Sequence, residues 1–337
     1  MKFLKLHKPW MGKEEAEAVE KVLESGWLTE GEVTRQFEEA VAKYVGSNYA
    51  IAVCNCTVAL ELCLRALNVT GEVVLPSFTH HGTIRAIINA GAKPTFCDVD
   101  LETRNSNLTA TNTHTKAYMP VSWAGNPISQ NPIAVTVEDA ACSLGSEYHG
   151  HKTGCFGLTC FSFHPRKIIT TGEGGMITTN DAVLAAQLKK LKHFGRGNYK
   201  LSDVNSAIGL VQLGKIEQII ARRREMAKLY TELLSNVDGV KPPTETDGTK
   251  HTFQTYAVFL EKANRDKAIA KLATQNIETQ IGTYALHMLS EYRNVPRIGS
   301  LQNSTLLYQN LLALPMAYDL TEEDQRRVVN ELKNTVA

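Results

Sequence analysis

The chain has 337 residues, 43% of them hydrophobic and 21% charged, enough for one large domain with an ample core and a smaller one beside it. Lys and Arg number 36 against 35 Asp and Glu, and a net charge of +1 gives no global attraction for nucleic acid or an anionic membrane. The seven cysteines (Cys54, Cys56, Cys63, Cys97, Cys142, Cys155 and Cys160) are odd in number and lack paired metal spacing, so free thiols are expected rather than a disulfide framework or a zinc site.

Residues 1–6 carry two lysines and no long apolar core, and no run approaches the roughly 18 apolar residues of a membrane span, so a soluble, cytoplasmic protein is expected. Residues 13–24 carry helical charge and alanine content and stop at Ser25-Gly26. A second helix is expected over Thr34 to Val45, ending at Gly46. Short apolar runs follow at Tyr49 to Val53, Val73 to Leu75, Pro94 to Val99, Ala117 to Val121, Ile133 to Val137, Thr159 to Phe163 and Met176 to Thr179. Helices over Thr57 to Leu67 and Thr83 to Ala90 alternate with the first of them. The pattern predicts an α/β fold with a mostly parallel sheet covered by helices on both faces. Ligands of such sheets collect at the carboxyl ends of strands. Polar and unusual residues gather at five such ends: Asn55-Cys56-Thr57, Ser77 to His81, Ser122-Trp123, Glu138-Asp139 and the loop with Lys167. From Ser202 a long helical stretch runs to Asp238-Gly239, with Arg222 to Arg224 read as a solvated face. Residues 241–250 form a turn-rich linker. Strands at Phe253 to Leu260 and Glu278 to Ile281, a helix at Arg265 to Gln275 and a final helix after Thr321 complete a small α+β domain. The expected division is a large domain of residues 1–235, whose first 47 residues are mostly helical, and a small domain of residues 236–337.

Lys167 sits between an apolar strand and a turn closed by Gly172, Gly174 and Gly175. One reading is an ordinary solvated loop lysine. The other is a desolvated lysine of lowered pKa, whose neutral amine suits Schiff-base chemistry with an aldehyde cofactor. Pyridoxal 5′-phosphate (PLP), the usual partner of such lysines, needs donors for its phosphate, a carboxylate for its pyridine nitrogen and a flat cover for its ring. Thr57 opens a helix, as a plain N-cap or as part of an anion site. Ser162 offers another hydroxyl, or is a buried serine bonded to backbone. Asp139 ends a buried strand and needs a cationic partner, either a pyridinium or a nearby Arg or Lys.

The strings E-D-A-A (138–141) and F-S-F-H-P-R-K-I-I-T-T-G-E-G-G-M-I-T-T-N (161–180) resemble the DegT/StrS family of PLP-dependent sugar aminotransferases. S-G-W-L-T-E-G (25–31), N-C-T-V-A-L (55–60), P-S-F-T (76–79), Q-L-G-K-I (212–216) and A-L-P-M (313–316) follow in the family's order, so the resemblance spans nearly the whole chain. It implies the type I aminotransferase fold, Lys167 as Schiff-base lysine and proton shuttle, and Asp139 on the pyridine nitrogen. Cys56, Thr57 and Ser162 are implied to bind the phosphate, the first two through backbone N–H groups. Asn198 is implied to reach the cofactor of a neighbouring subunit, which makes the protein a homodimer with composite sites. The family's usual reaction carries an amino group from glutamate to a keto carbon of a nucleotide-linked sugar. This chain departs at His80, where the family stacks an aromatic ring, at Cys142, where it often has Gln, at Ser122, and in the short stretch between His193 and Asn198. These departures keep a same-fold PLP enzyme with a different reaction or a non-sugar substrate as the alternative; a non-catalytic binding protein is disfavoured by the intact Lys167 and Asp139.

Overall fold

The computed structural model describes residues 2–106, 114–128, 135–194 and 197–336. Seven strands make the main sheet: β1 (Tyr49–Val53), β2 (Glu72–Pro76), β3 (Lys93–Cys97), β4 (Thr115–Tyr118), β5 (Val137–Asp139), β6 (Leu158–Ser162) and β7 (Gly175–Thr179). Their order is β1-β7-β6-β5 and then β4-β2-β3, the two blocks joined by single parallel bridges from Tyr118 to Thr136 and from Val121 to Asp139. The β5/β6, β2/β3 and β2/β4 pairs are parallel, whereas β7 runs against both β1 and β6. The twelve-residue link 163–174 between β6 and β7 holds no helix, and a parallel return requires a crossover. The mostly parallel sheet expected from the sequence is thus present, with one reversed strand beside the lysine loop.

Alternation along the strands builds two cores. Ile51, Val53, Cys160 and Ile177 face a layer formed by α3 (Cys56–Ala66), α4 (His81–Ala90) and α5 (Ala182–Phe194). Ala50, Ala52, Phe161, Phe163 and Met176 face the opposite layer, to which α2 (Glu32–Val45), α6 (Asp203–Gly214) and the start of α7 (Ile216–Leu234) contribute. The amphipathic α1 (Lys13–Ser25) packs outside α6 and stops at Gly26 in the left-handed conformation. A second, antiparallel sheet has the order β8 (Val240–Lys241), β9 (Tyr256–Leu260), β11 (Leu311–Leu314), β10 (Gln280–Ile281). The end of α7 packs on it with α8 (Arg265–Thr274) and α10 (Glu322–Val336) around Met226, Tyr230, Val258, Leu272, Leu312 and Val328. Leu4 belongs to this second core, bridged in parallel to Ile277.

Several boundaries move for identifiable reasons. The helical stretch after Ser202 is two helices, α6 and α7, parted at Lys215. The strand expected from Phe253 begins at Tyr256, because Phe253 holds φ +49° and breaks the extended run. The helix at Gln302–Asn310 (α9) and α5 have no counterpart in the sequence reading. Within the expected strand Ile133 to Val137, residues 133–134 lie outside the described residues. The solvated arginine face is overturned. Arg223 is 4% exposed and donates to the carbonyl oxygens of Phe253 (3.2 Å) and Gln254 (3.1 Å), while Arg224 pairs with Glu245 at 2.7 Å. The five donors of a guanidinium make it a buried clasp on a loop that has no helix or sheet to satisfy it.

α2 starts at Glu32, two residues before the local sequence signal. Its N-terminus is capped by a side chain distant in sequence: Asp203 accepts from the N–H groups of Gly31 (2.8 Å), Val33 (3.2 Å) and Thr34 (2.9 Å) and from the Thr34 hydroxyl (2.6 Å). Asp203→Ala strands these donors in a buried place, and a loss of about 2–3 kcal/mol is expected. Urea denaturation checks it; an unchanged midpoint would show that Asp203 is not the cap that fixes α2.

Candidate active site

The strand ends named from the sequence come into register. Val53 of β1 lies opposite Gly175 of β7, Gly175 opposite Ser162 of β6, and Asp139 of β5 opposite Cys160 of β6. From this edge the β6–β7 loop carries Lys167. Phe163 N donates to Gly174 O (2.9 Å), Thr171 N to Phe163 O (3.0 Å) and the Thr170 hydroxyl to the same oxygen (2.8 Å). Ile168 and Ile169, 5% and 1% exposed, drive the loop into the core immediately after the lysine. The lysine stem is therefore fixed by burial of its neighbours. A Cβ on Gly174 would stand 2.3 Å from the Thr171 hydroxyl, so the turn admits no side chain there.

Asp139 lies 5% exposed at the end of β5. Its carboxylate accepts from the Thr83 hydroxyl (2.7 Å) and the Ala141 N–H (3.1 Å), and Cys56 Sγ lies 3.9 Å away. Among the described residues it has no ion pair within 4.0 Å, so the salt bridge to a nearby Arg or Lys is not its solution. Burial pushes its carboxyl above the ordinary value, opposed by Thr83, Ala141 and the charge of Lys167. Lys167 corrects an expectation. Burial alone lowers its amine, as read from the sequence, but Cys142, Asp139 and Cys56 outweigh burial and hold the amine above its ordinary value. Lys167 Nζ lies 3.2 Å from Cys142 Sγ.

The other expected residues surround this pair. Asn55 caps α3 by accepting from Val58 N (2.9 Å), and the N–H groups of Cys56 and Thr57, at the positive end of the helix, have no acceptor among the described residues. Gly175 presses against this end: a Cβ there would meet Asn55 C, Asn55 O and Cys56 N at 2.5–2.8 Å. The hydroxyl of Ser162, half-buried, accepts a long 3.4 Å bond from His164 N. His80 caps α4, its Nδ1 accepting from Gly82 N (3.1 Å). Its ring remains exposed on the outside, yet the atoms packed around it and the charge of Lys167 push the imidazole down to about 4, so it is neutral at pH 7. Asn198 is exposed at the surface, where Oδ1 meets Lys200 N at 3.4 Å. Of the short stretch before it, residues 195–196 lie outside the described residues.

Two features escaped the sequence reading. Thr83 stands behind the key carboxylate, and Thr79 Oγ1 lies 2.9 Å from Thr83 Oγ1, making a hydroxyl chain to Asp139. The link joins residues 56 apart, so no local pattern marks it. Second, Tyr284–Ala285 pair antiparallel with Phe78–Thr79, and Ser77 Oγ lies 2.6 Å from His287 Nδ1. Tyr284 thereby reaches the His81 ring at 4.8 Å, and Tyr292 lies 5.7 Å from it. The C-terminal half thus packs two aromatic rings on His81, with Tyr284 also 6.4 Å from the His80 ring.

The residues present fit PLP. A buried carboxylate without an ion pair, a lysine, a helix N-terminus whose first donors have no acceptor among the described residues and a neutral imidazole converge on one edge of the sheet. The family model described as DegT/DnrJ/EryC1/StrS aminotransferase family matches residues 9–333. An uncharacterized protein of Methanocaldococcus jannaschii is 35% identical, over 99% of this chain and 98% of its own. Among solved structures, the aminotransferase TlmJ from Streptoalloteichus hindustanus superimposes with a TM-score of 0.90 at 31% identity, covering 99% of this chain and 98% of TlmJ. DesI, solved in the presence of its TDP-sugar product, gives 0.94 at 29% identity, covering 100% and 93%.

Glu138, beside Asp139, accepts from the hydroxyls of Ser122 (2.5 Å) and Thr159 (3.2 Å). Burial pushes its carboxyl from 4.5 up to about 7 despite these donors. The folded chain therefore holds a proton that the unfolded chain releases, and stability falls as pH rises from about 4.5 to about 7. Glu138→Gln is expected to flatten this slope in denaturation midpoints measured across that window. A slope unchanged from wild type would show that Glu138 does not carry it.

Proposed function

The chain belongs to the DegT/DnrJ/EryC1/StrS aminotransferase family, and we propose that it is a PLP-dependent, cytoplasmic aminotransferase that moves an amino group from L-glutamate to a keto sugar carried on a nucleotide. The observation that carries this reading is the convergence of Lys167 and the unpaired, buried Asp139 on one edge of the sheet. PLP, when bound, supplies an electrophilic aldehyde and a ring that accepts the electron pair left by loss of the donor's α-proton. Asp139 would hold the ring nitrogen protonated, with Thr83 and Ala141 N–H fixing its carboxylate. The Cys56 and Thr57 N–H groups and the hydroxyls of Thr57 and Ser162 would bind the phosphate. His80, uncharged, would cover the ring, and Cys142 would stand beside the lysine. Lys167 Nζ would take the α-proton and return it to the cofactor carbon, a task typically worth two to four orders of magnitude.

The nucleotide-sugar acceptor is supported by the likeness to DesI, whose structure holds a TDP-sugar product, and by the aromatic rings of Tyr284 and Tyr292 packed on His81. We further assign residues 1–235 to a cofactor-binding domain and 236–337 to a small domain, with Asn198 reaching the partner's site in a homodimer.

The test is spectroscopic. Purified protein is expected to show the absorption of lysine-bound PLP and to lose it on addition of L-glutamate; a band indifferent to glutamate would overturn the donor, and no band after added PLP would overturn the cofactor. Lys167→Ala is expected to lower turnover by at least about a hundredfold while retaining PLP non-covalently. Turnover at the wild-type rate in that variant would remove Lys167 from the mechanism.

A further inference from the structure

The contact between Lys167 Nζ and Cys142 Sγ, 3.2 Å, is the one hydrogen bond recorded for the lysine side chain among the described residues. Cys142 follows Ala141, whose N–H fixes the Asp139 carboxylate, so the sulfur and the carboxylate are carried by one short turn, stiffened by Ser143 N donating to Ala140 O (3.0 Å). The thiol is half-buried and shares the site with the lysine rather than packing into the core, unlike Cys63, Cys97 and Cys160, which are fully buried.

We propose that Cys142 is a positioning residue for Lys167: its sulfur docks Nζ before the amine bonds to PLP, and so sets how readily the lysine captures the cofactor. The proposal rests on Lys167 being the PLP-binding lysine. Capture requires Nζ to lose a proton and add to the aldehyde carbon; the carbonyl oxygen then leaves as water. An acceptor that stabilises the ammonium delays the first of these events. Of the groups facing Nζ, Cys142, Asp139 and Cys56 favour the ammonium against the effect of burial. His80, before α4, and His164, on the lysine's own loop, are both lowered chiefly by burial, with the charge of Lys167 adding to it. Cys142 is the first of the attracting groups and the one in direct contact, so residue 142 is the lever.

The test uses the full chain freed of cofactor and mixed with PLP, the covalent capture being followed by absorbance over a range of neutral to alkaline pH. Cys142→Ala is expected to capture PLP faster at neutral pH by roughly three- to tenfold, with its rate–pH profile displaced to lower pH, since each unit of amine pKa is tenfold in neutral amine. Cys142→Ser, isosteric and still an acceptor, is expected to lie between the two. A merely space-filling role predicts altered affinity without displacement of the profile. Coincident profiles for wild type and Cys142→Ser and Cys142→Ala overturn the proposal while leaving Lys167 in its role; failure of the wild type to capture PLP at any pH overturns both. Should Cys142→Ala fold poorly, the profile of Cys142→Ser decides alone, an unshifted profile counting against the proposal.

Discussion

A carboxylate buried without an ion pair governs the arrangement of this molecule. Asp139 is surrounded by a hydroxyl, a backbone N–H and a distant thiol, none of which neutralises it. Desolvation of such a charge costs several kcal/mol unless something compensates. The compensation within the chain is indirect and comes from Lys167 across the site, which pulls the Asp139 carboxyl back toward ionisation as Asp139 helps to keep the lysine charged. Carboxylate and lysine thus depend on each other for their charge. Buried groups that shift one another in this way are characteristic of functional sites.

The sheet serves this arrangement. β7 returns antiparallel after a helix-free loop, so both ends of the lysine loop are anchored in adjacent strands, at Ser162 and Gly175. β1 enters the same edge and delivers the N-terminus of α3. Reversal of a single strand therefore places a helix N-terminus, a carboxylate and a lysine within one narrow edge. The C-terminal half closes the edge through Tyr284–Ala285, paired with Phe78–Thr79.

Much of this was legible in the chain. Short β-branched runs identified the strands, glycines at positive φ marked the helix ends at Gly26, Gly46 and Gly91, and the strand-end residues converge as the alternation implied. Illegible were the effects carried by contacts between distant residues. Asp203 caps a helix roughly 170 residues earlier, which shifts the start of α2. Arg223 looks like one of three surface arginines until the loop at Phe253 and Gln254 folds over it. The lysine's charge was misjudged because burial could be inferred from the neighbouring apolar run, but the identity of the groups sharing the burial could not. Thr83 lies in a helix, as read from the sequence, but its support of Asp139 left no local trace.

Residues 4–6 have another consequence. Leu4 exchanges backbone hydrogen bonds with Asn276 and Glu278, Leu6 O accepts from Met316 N, and Lys2 pairs with Asp324. The segment around Leu4 can therefore find these partners only after residues 276–324 have been made, which at about 5–20 residues per second leaves it unpaired for tens of seconds. The second core is closed by contacts of the greatest sequence separation in the molecule, a loop-closure burden that local helices do not carry. The strands of the large sheet all precede residue 180, whereas Tyr284 follows about a hundred residues later, so a growing chain holds the lysine and carboxylate before it holds the aromatic rings packed on His81.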